Sequence, residues 1–233
     1  MKNKLDIILP VYQEEDNIEY VVREIEKAVK TPHRILAIWQ DAKDPTLPVL
    51  VSLAKKNKNL ILIKSKSGVG VVKSLKEGFK AVSAEYITVM MSDRSDDPRD
   101  IDKMVGLLDK GYDLVCASRY GKKGKRVGGP KIKGILSFIG CKTLRIITKI
   151  NTDDATNAFK TFRSNMLKEI KVESVGGFEL PLEITVKAHV LGYKITEVPT
   201  IWQEREKGKS KFKLLQWLPQ YIRWYAYAIK KPK

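Results

Sequence analysis

The sequence LDIILPVYQEEDN, residues 5–17, passes from an apolar run through a proline into a polar, acidic segment. A short apolar run followed by turn-forming residues predicts a buried strand that ends in a loop. The pattern recurs along the first half of the chain, with candidate strands at 5–9, 35–39, 60–63, 86–90 and 113–117 and helical patterns near 15–30, 46–56, 70–83 and 98–109. Strands that alternate with helices predict an α/β fold with a mostly parallel central sheet flanked by helices.

Polar residues follow most of these candidate strands. Acidic clusters come after the first, second and fourth strands, at residues 10–17, 40–44 and 92–98, and a glycine turn at 67–70 follows the third. In an open parallel sheet, ligands bind beyond the carboxyl ends of the strands. Turns and helix caps also favour Asp, Asn and Gly, so any single cluster has an ordinary structural explanation. Together at one edge of the sheet, the clusters predict a binding site.

The chain has 233 residues and a formal net charge of +17. Such a surface attracts polyanions, which include nucleic acids, acidic lipids and phosphate-rich small substrates. The two cysteines, Cys116 and Cys141, lack the spacing of a zinc site or a disulfide framework. No apolar stretch reaches the ~18 residues that a membrane span requires, and the first apolar run is too short for a signal peptide. We therefore expect a cytoplasmic protein.

Basic residues concentrate in the second half of the chain. Residues 121–133 combine glycines with lysines and an arginine, a composition suited to a phosphate-binding loop. An amphipathic helix is predicted at 135–150, and another after Lys211, where aromatic side chains are accompanied by basic ones such as Arg223, Lys230 and Lys231. Such helices are typical of a membrane interface, although a helix that covers the core shows a similar pattern. We expect a catalytic domain at 1–211, with an amphipathic helix at about 131–150, and a C-terminal interfacial helix at 212–233.

Several motifs carry a family resemblance that covers nearly the whole chain. They are LPVYQEEDNI at 9–18, Asp41, the glycines at 68–78, Ser118-Arg119-Tyr120, DATNAFK at 154–160, Phe178-Glu179 with Glu183, Val198-Pro199, and Arg205, Gly208, Ser210 and Lys211. In this order and spacing they resemble family-2 glycosyltransferases of the GT-A fold, specifically the dolichyl-phosphate mannose synthase-like branch. The resemblance implies transfer of a hexose, mannose or glucose, from a GDP- or UDP-linked donor to a polyprenyl or dolichyl phosphate, by inverting single displacement.

The resemblance also implies roles for individual residues. The nucleotide is expected to contact Pro10, Tyr12, Glu14, Asp41, Gly68, Ser92 and Asp93. The acceptor and its phosphate are expected to contact Arg119, Lys131, Arg205, Ser210 and Lys211. Asp93 is the expected ligand of Mg²⁺ or Mn²⁺, and Asp93 and Arg119 are expected to act in catalysis. A phosphate acceptor is already anionic near neutral pH, whereas a sugar hydroxyl would need a general base, for which Asp154 is the candidate.

Two segments depart from the family pattern. Met91-Ser92-Asp93 stands where the family has Asp-x-Asp, and a thioether sulfur is a poor ligand for a hard cation such as Mg²⁺. Asp96 or Asp97 could supply a second oxygen if the loop turned back. Residues 41–44, Asp-Ala-Lys-Asp, replace the Asp-Asp-Gly-Ser of many relatives at the segment that would meet the base.

Other functions are alternatives at this level. One is a family-2 transferase with a sugar hydroxyl acceptor, and another is a relative that binds the nucleotide sugar without turnover. A basic nucleic-acid-binding protein is the non-enzyme alternative, but no RRM, KH or helix-turn-helix signature is visible, so we expect no nucleic acid partner. A dinucleotide-dependent oxidoreductase would place its glycines after the first strand rather than the third. We expect peripheral contact with the cytoplasmic face of a membrane, where a separate membrane protein could anchor the chain.

Overall fold

A computed structural model gives the fold and describes residues 3–176, 178–205 and 214–230, with the backbone alone for 214–217. In these ranges the strands are β1 (Leu5–Pro10), β2 (His33–Trp39), β3 (Leu60–Lys64), β4 (Tyr86–Val89), β5 (Leu114–Ser118), β6 (Lys125–Val127), β7 (Lys160–Arg163), β8 (Ile195–Pro199) and β9 (Ile201–Gln203). The helices are α1 (Ile18–Ala28), α2 (Thr46–Lys56), α3 (Val71–Ala81), α4 (Ile101–Asp109), α5 (Lys131–Thr148), α6 (Met166–Glu169), α7 (Leu180–Val190) and α8 (Leu214–Ala228).

The main sheet has the strand order β3-β2-β1-β4-β7-β5-β8. Strand β7 runs antiparallel to both of its neighbours, and the other pairings in this sheet are parallel. A small second sheet pairs β6 with β9 in parallel. The predicted α/β fold with a mostly parallel central sheet flanked by helices is confirmed.

Alternate side chains of the strands enter two apolar layers. On β1, Ile7 and Leu9 pack with α1, α2 and α4, whereas Ile8 packs with α3 and the layer that also receives α7 and α8. Helix α3 lies directly on β1 at Gly78, where a Cβ would come within 2.6 Å of Ile8 Cγ2. Covered faces on both sides are expected for a mainly parallel sheet, and they leave the strand ends as the place for a site.

Some element boundaries differ from the sequence patterns. Helix α1 begins at Ile18, later than 15, because the Glu14 N–H donates to the Thr46 hydroxyl at 2.8 Å and fixes the preceding turn. The pattern at 98–109 divides into a 3₁₀ turn at Pro98–Asp100 and then α4. Strands β7 and β8 were not predicted, since both are short and carry charged residues.

The helix predicted after Lys211 is present as α8, which begins at Leu214, and the predicted domain boundary at 211 and 212 lies outside the described residues. Trp224, which the sequence pattern assigned to a membrane interface, is buried in the core instead, with Lys187 Nζ 4.9 Å from its ring centroid. No helix among the described residues is long and apolar enough to cross a bilayer.

Candidate active site

The carboxyl ends of β1 and β4 lie side by side and form the floor of the candidate site. The Ser92 hydroxyl, after β4, donates to the Pro10 carbonyl at the end of β1 at 2.8 Å. Asp93 follows and is 6% exposed, with Oδ1 accepting the Ser95 N–H at 3.1 Å. The fold therefore brings together three residues assigned to the nucleotide: Pro10, Ser92 and Asp93.

A guanidinium from near the end of the chain reaches this edge. Arg205 Nη2 donates to Asp93 Oδ2 at 2.6 Å, and Arg205 Nη1 lies 3.6 Å from Glu14 Oε1. Glu14 follows β1, and its Oε2 accepts the Asn17 side-chain amide at 2.7 Å. Arg205 thus bridges carboxylates that follow two adjacent strands. Asp93, the residue assigned as a metal ligand, is therefore already paired with the positive side chain of Arg205.

A second arginine–aspartate pair lies deeper in the protein. Arg119 Nε and Nη2 donate to the two carboxylate oxygens of Asp154 at 2.6 and 2.8 Å, and the Arg119 backbone N–H donates to the same carboxylate at 3.0 Å. Asp154 is completely buried and also accepts hydrogen bonds from the Thr156 hydroxyl and the Asn157 N–H. This network fixes the first residue after β5 against the segment before β7.

Charge compensation decides the protonation of this pair. Burial acts to raise the pKa of Asp154, but the charge and hydrogen bonds of Arg119 outweigh it and hold that pKa below its usual value. Because such a carboxylate is a weak proton acceptor, its surroundings argue against the role of general base considered for Asp154. Burial likewise acts to lower the pKa of Arg119, and the Asp154 charge more than compensates.

The loop after β4 does turn back, and it does so through Asp96. The Met91 N–H donates to Asp96 Oδ2 at 3.0 Å, so this carboxyl closes the loop beside Asp93. Burial raises the pKa of Asp96 to about 7; the Met91 N–H opposes this shift and the charge of Asp93 adds to it. The Asp97 side chain instead accepts the Arg99 N–H at 3.0 Å and caps the 3₁₀ turn.

A cavity of about 540 Å³ extends from these pairs between α5, α7 and α8. Its lining includes charged side chains, which are Asp93, Asp96, Arg119, Arg126, Lys133, Glu204 and Arg205. Many of the other lining side chains are apolar or aromatic: Tyr120, Leu136, Leu144, Phe178, Leu182, Leu218, Tyr221, Ile222 and Tyr225. A ligand that fills this cavity would meet both charge and apolar surface.

Two aspartates follow β2 in different surroundings. Asp41, assigned to the base, is exposed and accepts the Lys43 N–H at 2.9 Å. Asp44 is buried and accepts the Gln13 N–H at 2.9 Å and the Thr46 hydroxyl at 2.6 Å, which joins two loops. Strand β1 separates β2 from β4, so the strands that precede Asp41 and Asp93 are about 10 Å apart at the same edge.

The glycine turn after β3 lies at this edge as well. Gly68 and Gly70 have φ angles of 84° and 137°, in the region that favours glycine. The Gly70 N–H donates to the Gln40 side chain, which connects the turn to the loop after β2. Tyr12 is half-buried beyond β1. The residues assigned to the nucleotide therefore follow consecutive strands of the sheet.

The basic residues expected to bind phosphate lie in different surroundings. Lys131 is exposed at the start of α5 and is not among the residues that line the cavity, whereas Lys133 lines it. Arg126 also lines the cavity, 5.2 Å from the ring centroid of Trp202, and was not singled out from the sequence. Both Lys133 and Arg126 belong to the basic segment at 121–133, so composition pointed to the segment but not to these residues. Ser210 and Lys211 lie outside the described residues.

The Asp93 carboxylate suits a divalent cation. It is a hard oxygen donor that already binds a positive group at 2.6 Å, and Mg²⁺ is commonly held by one or two carboxylates together with substrate phosphates. The Met91 side chain offers no such oxygen. Among the described residues, no group of three or more His, Cys, Asp or Glu side chains is arranged to hold a metal. Asp93 thus fits a cation whose remaining ligands come from a diphosphate.

Solved structures with little sequence similarity share the fold. Glucosyl-3-phosphoglycerate synthase from Mycobacterium tuberculosis, in complex with Mn²⁺, UDP and glucosyl-3-phosphoglycerate, has a TM-score of 0.72 and 16% identity, over 100% of this chain and 82% of that chain. This similarity agrees with the expected GT-A fold.

Two mannosyl transfer enzymes are more similar to this chain in sequence than that structure is. A dolichol-phosphate mannosyltransferase from Pyrococcus furiosus is 27% identical over 213 residues, which cover 90% of this chain and 59% of that protein. This chain therefore spans less than two thirds of that relative. A polyprenol monophosphomannose synthase from Mycolicibacterium smegmatis is 25% identical over 232 residues, 91% of this chain and 85% of that protein. The pattern of glycosyl transferase family 2 matches residues 6–171, from β1 to beyond β7, and the chain belongs to that family.

Proposed function

We propose that this protein transfers a hexose from a nucleotide sugar to a polyprenyl phosphate at a membrane surface. The observation that carries the proposal is a single cavity with two kinds of wall. Its lining combines charged side chains, among them Asp93, Arg119 and Arg205, with apolar and aromatic side chains from α5, α7, α8 and the adjoining loops. A polyprenyl phosphate combines these two chemistries in one molecule, whereas a sugar hydroxyl acceptor makes no use of the apolar walls.

The donor would bind beyond β1 to β4. The loops after these strands carry Pro10, Tyr12 and Glu14, then Asp41, then Gly68, and finally Ser92 and Asp93. We assign the base and ribose of a GDP- or UDP-sugar to the loops after β1, β2 and β3, and the diphosphate to Asp93. The names of the relatives from Pyrococcus and Mycolicibacterium favour mannose as the sugar.

The reaction would be an inverting single displacement. Negative charge grows on the diphosphate as it leaves the sugar, while the sugar carbon becomes cation-like. A Mg²⁺ or Mn²⁺ ion held by Asp93 would neutralise charge on the departing diphosphate. An acceptor phosphate oxygen is already anionic near neutral pH and attacks without a general base. This agrees with Asp154, whose carboxylate is fully engaged by Arg119.

Cations around the cavity would hold the acceptor phosphate. Arg119 Nε and Nη2 bond to Asp154, and Nη2 also bonds to Thr156, so Nη1 is the nitrogen assigned to the phosphate. Lys133 replaces Lys131 in our assignment because it lines the cavity. Groups held rigidly before the reaction stabilise developing charge without reorganisation, and Asp154 would hold Arg119 in this way.

Helix α5 and the region of α8 would contact the lipid surface. Ile132 and Ile146 on α5 are 74% and 75% exposed, and Ile222 on α8 is 60% exposed. Lys142 and Arg145 lie on the same helix as the exposed isoleucines, and both pair with Asp153, which leaves one net positive charge. Basic side chains beside apolar ones favour an anionic membrane surface. We infer peripheral contact with the cytoplasmic face. A separate anchoring protein stays a prediction.

A transfer assay tests the function directly. The protein is incubated with a panel of labelled GDP- and UDP-hexoses, polyprenyl phosphate and Mg²⁺ or Mn²⁺, and the mixture is extracted into organic solvent. Label in the organic phase, lost in Asp93→Asn, is the expected result. Label that stays on a water-soluble sugar product would support the hydroxyl-acceptor alternative, and donor binding without any product would contradict turnover.

A pair of glycines tests the lipid assignment of the cavity. Gly140 on α5 lines the cavity and has open space where a side chain would project, and Gly106 on α4 has similar space away from it. Gly140→Leu should raise KM for polyprenyl phosphate about tenfold by filling the acceptor volume, while Gly106→Leu leaves it unchanged. Equal effects of both variants, or a change in donor binding alone, would contradict this assignment.

A further inference from the structure

Asp93 is the residue proposed to hold the metal ion, yet its Oδ2 already accepts a hydrogen bond from Arg205 Nη2 at 2.6 Å. The same guanidinium lies 3.6 Å from Glu14 through Nη1. One positive group thus serves two carboxylates that follow β1 and β4. A divalent cation that binds Asp93 competes with this group for the carboxylate.

The backbone beside Arg205 is attached to both sides of the site. The Gln203 N–H donates to the Ser95 carbonyl at 3.1 Å, and the Glu204 N–H donates to the Val127 carbonyl at 2.9 Å. These bonds hold the chain up to the residue before Arg205. The Arg205 side chain is 21% exposed, and rotation about its own bonds is enough to move it away from Asp93.

Two positive groups compete for one carboxylate oxygen. A cation coordinated by Asp93 Oδ2 would lie only a few ångströms from the guanidinium, and like charges at that separation repel. We propose that Arg205 occupies the cation position of Asp93 while the donor is absent, and that the metal–diphosphate unit of the donor displaces it. The displaced guanidinium then binds a phosphate oxygen, a contact for which arginine is well suited. The inference rests on the proposed function, which supplies the diphosphate.

This exchange couples the binding of metal and donor. Without a diphosphate, the divalent cation competes against a formed ion pair, and its affinity falls with the fraction of molecules in which Asp93 is free. With a diphosphate, the phosphates supply further oxygen ligands to the cation and a new partner to Arg205. Metal and donor therefore bind together.

Mn²⁺ titration followed by electron paramagnetic resonance tests the exchange without turnover, because free and bound Mn²⁺ give different signals. Wild type, Arg205→Gln and Arg99→Gln are titrated without nucleotide and then with UDP or GDP. Arg99 is the matched control because its exposed side chain also pairs with an aspartate, Asp97, at the 3₁₀ turn. Without nucleotide, Arg205→Gln should bind Mn²⁺ about tenfold more tightly than wild type, the change expected if the pair is closed in about nine of ten molecules. Arg99→Gln should match wild type.

Two further variants show whether the bound Mn²⁺ is held by Asp93 and provide a test if Arg205→Gln does not fold. Adding Asp93→Asn to Arg205→Gln should abolish the gain, which assigns the bound Mn²⁺ to Asp93. Glu14→Gln removes the second partner of Arg205 and should give a smaller gain in Mn²⁺ affinity; it decides the question if circular dichroism shows that Arg205→Gln is unfolded. An unchanged or weaker Mn²⁺ affinity in folded Arg205→Gln would overturn the exchange, and so would a lack of Mn²⁺ binding in every variant with and without nucleotide. Lipid-linked product from wild type in the transfer assay would then show that the proposed function survives the failure of this inference.

Discussion

The two arginine–aspartate pairs, both with their arginine in the cavity lining, differ in depth and in the number of contacts that hold them. Arg119 and Asp154 have side chains that are 13% and 0% exposed, and both carboxylate oxygens are engaged by the guanidinium. Arg205 and Asp93 are 21% and 8% exposed and share one short contact. In the deep pair, each partner also has further bonds to neighbouring groups, whereas Arg205 divides itself between two carboxylates.

This difference indicates different roles for chemically identical groups. A buried, two-pronged pair loses much when either partner is removed, because the remaining charge stays out of water. A pair with a partly exposed arginine can exchange partners, since water and ligands reach it. The deep pair therefore serves to position Arg119, and the outer pair is the one that substrates can rearrange.

The largest expected effect separates the pairs by stability. Asp154→Ala leaves the buried Arg119 charge unpaired, and the loss of one partner of a buried pair lowers the free energy of unfolding by about 3 to 5 kcal/mol. Asp93→Ala should lower it by at most about 1 kcal/mol, because Arg205 is partly exposed and keeps Glu14 nearby. Urea unfolding followed by circular dichroism measures both values. Equal losses would contradict the distinction between the pairs.

At the outer pair, the expected loss of activity is large although the expected loss of stability is small. Asp93→Ala is expected to lower kcat/KM by about 100-fold or more, as the loss of a group that stabilises transition-state charge does in other enzymes. Asp97→Ala is the matched control, since Asp97 caps the neighbouring turn. Initial rates of lipid-linked product formation measure both. An Asp93→Ala variant that is as active as the control would remove Asp93 from the mechanism.

Lysine substitutions sharpen the comparison through geometry, because they keep the charge and remove the planar fork. Arg119→Lys should lower the free energy of unfolding by about 1 to 3 kcal/mol, since lysine leaves part of the buried Asp154 carboxylate without a donor. Arg205→Lys should change it by less than about 1 kcal/mol. Thermal unfolding at one pH and ionic strength compares the two. A larger loss for Arg205→Lys would mean that the outer pair is the rigid one.

The smallest expected effect concerns Asp96, which lines the same cavity as Arg119 and Arg205. Its folded pKa is raised to about 7 from a usual value of 3.8, chiefly by burial. The folded state thus holds a proton that the unfolded state releases, so this stabilisation is complete below the usual value and disappears as pH rises through about 7. From pH 5.5 to pH 8, wild type should lose about 1 to 2 kcal/mol more stability than Asp96→Asn. Parallel urea titrations at the two pH values would show no such difference if Asp96 were ionised throughout.

Much of this arrangement could be predicted from local patterns. The sheet is predicted by the apolar runs of β1 to β5. The edge that carries Asp93 is predicted by the polar residues that come after these runs, because strand ends and loops are local features. Strand β7 was missed since Lys160, a buried residue in the middle of the sheet, breaks the apolar pattern that marks a strand. Its antiparallel pairing between β4 and β5 depends on contacts distant in sequence.

The choice among similar residues depended on the folded chain. Lys131 and Lys133 are two residues apart on a helix and so point in nearly opposite directions, but composition treats them alike. Asp41 and Asp44 are both acidic residues after β2, and only the packing of the neighbouring loop buries Asp44. The contacts of Arg205 with Asp93 and Glu14 join residues far apart in sequence, which no local spacing reveals.

The short parallel ladder of β6 and β9 has a consequence for chain length in this region. Lys125, Arg126 and Val127 are paired with Ile201, Trp202 and Gln203. This register fixes the position of the segment that leads from β9 to Arg205. One residue inserted between β9 and Arg205 would push the guanidinium beyond Asp93, whereas one inserted among the exposed residues 122–123 would be absorbed before the ladder starts. Natural variation in loop length should therefore be tolerated on one side of this ladder and excluded on the other.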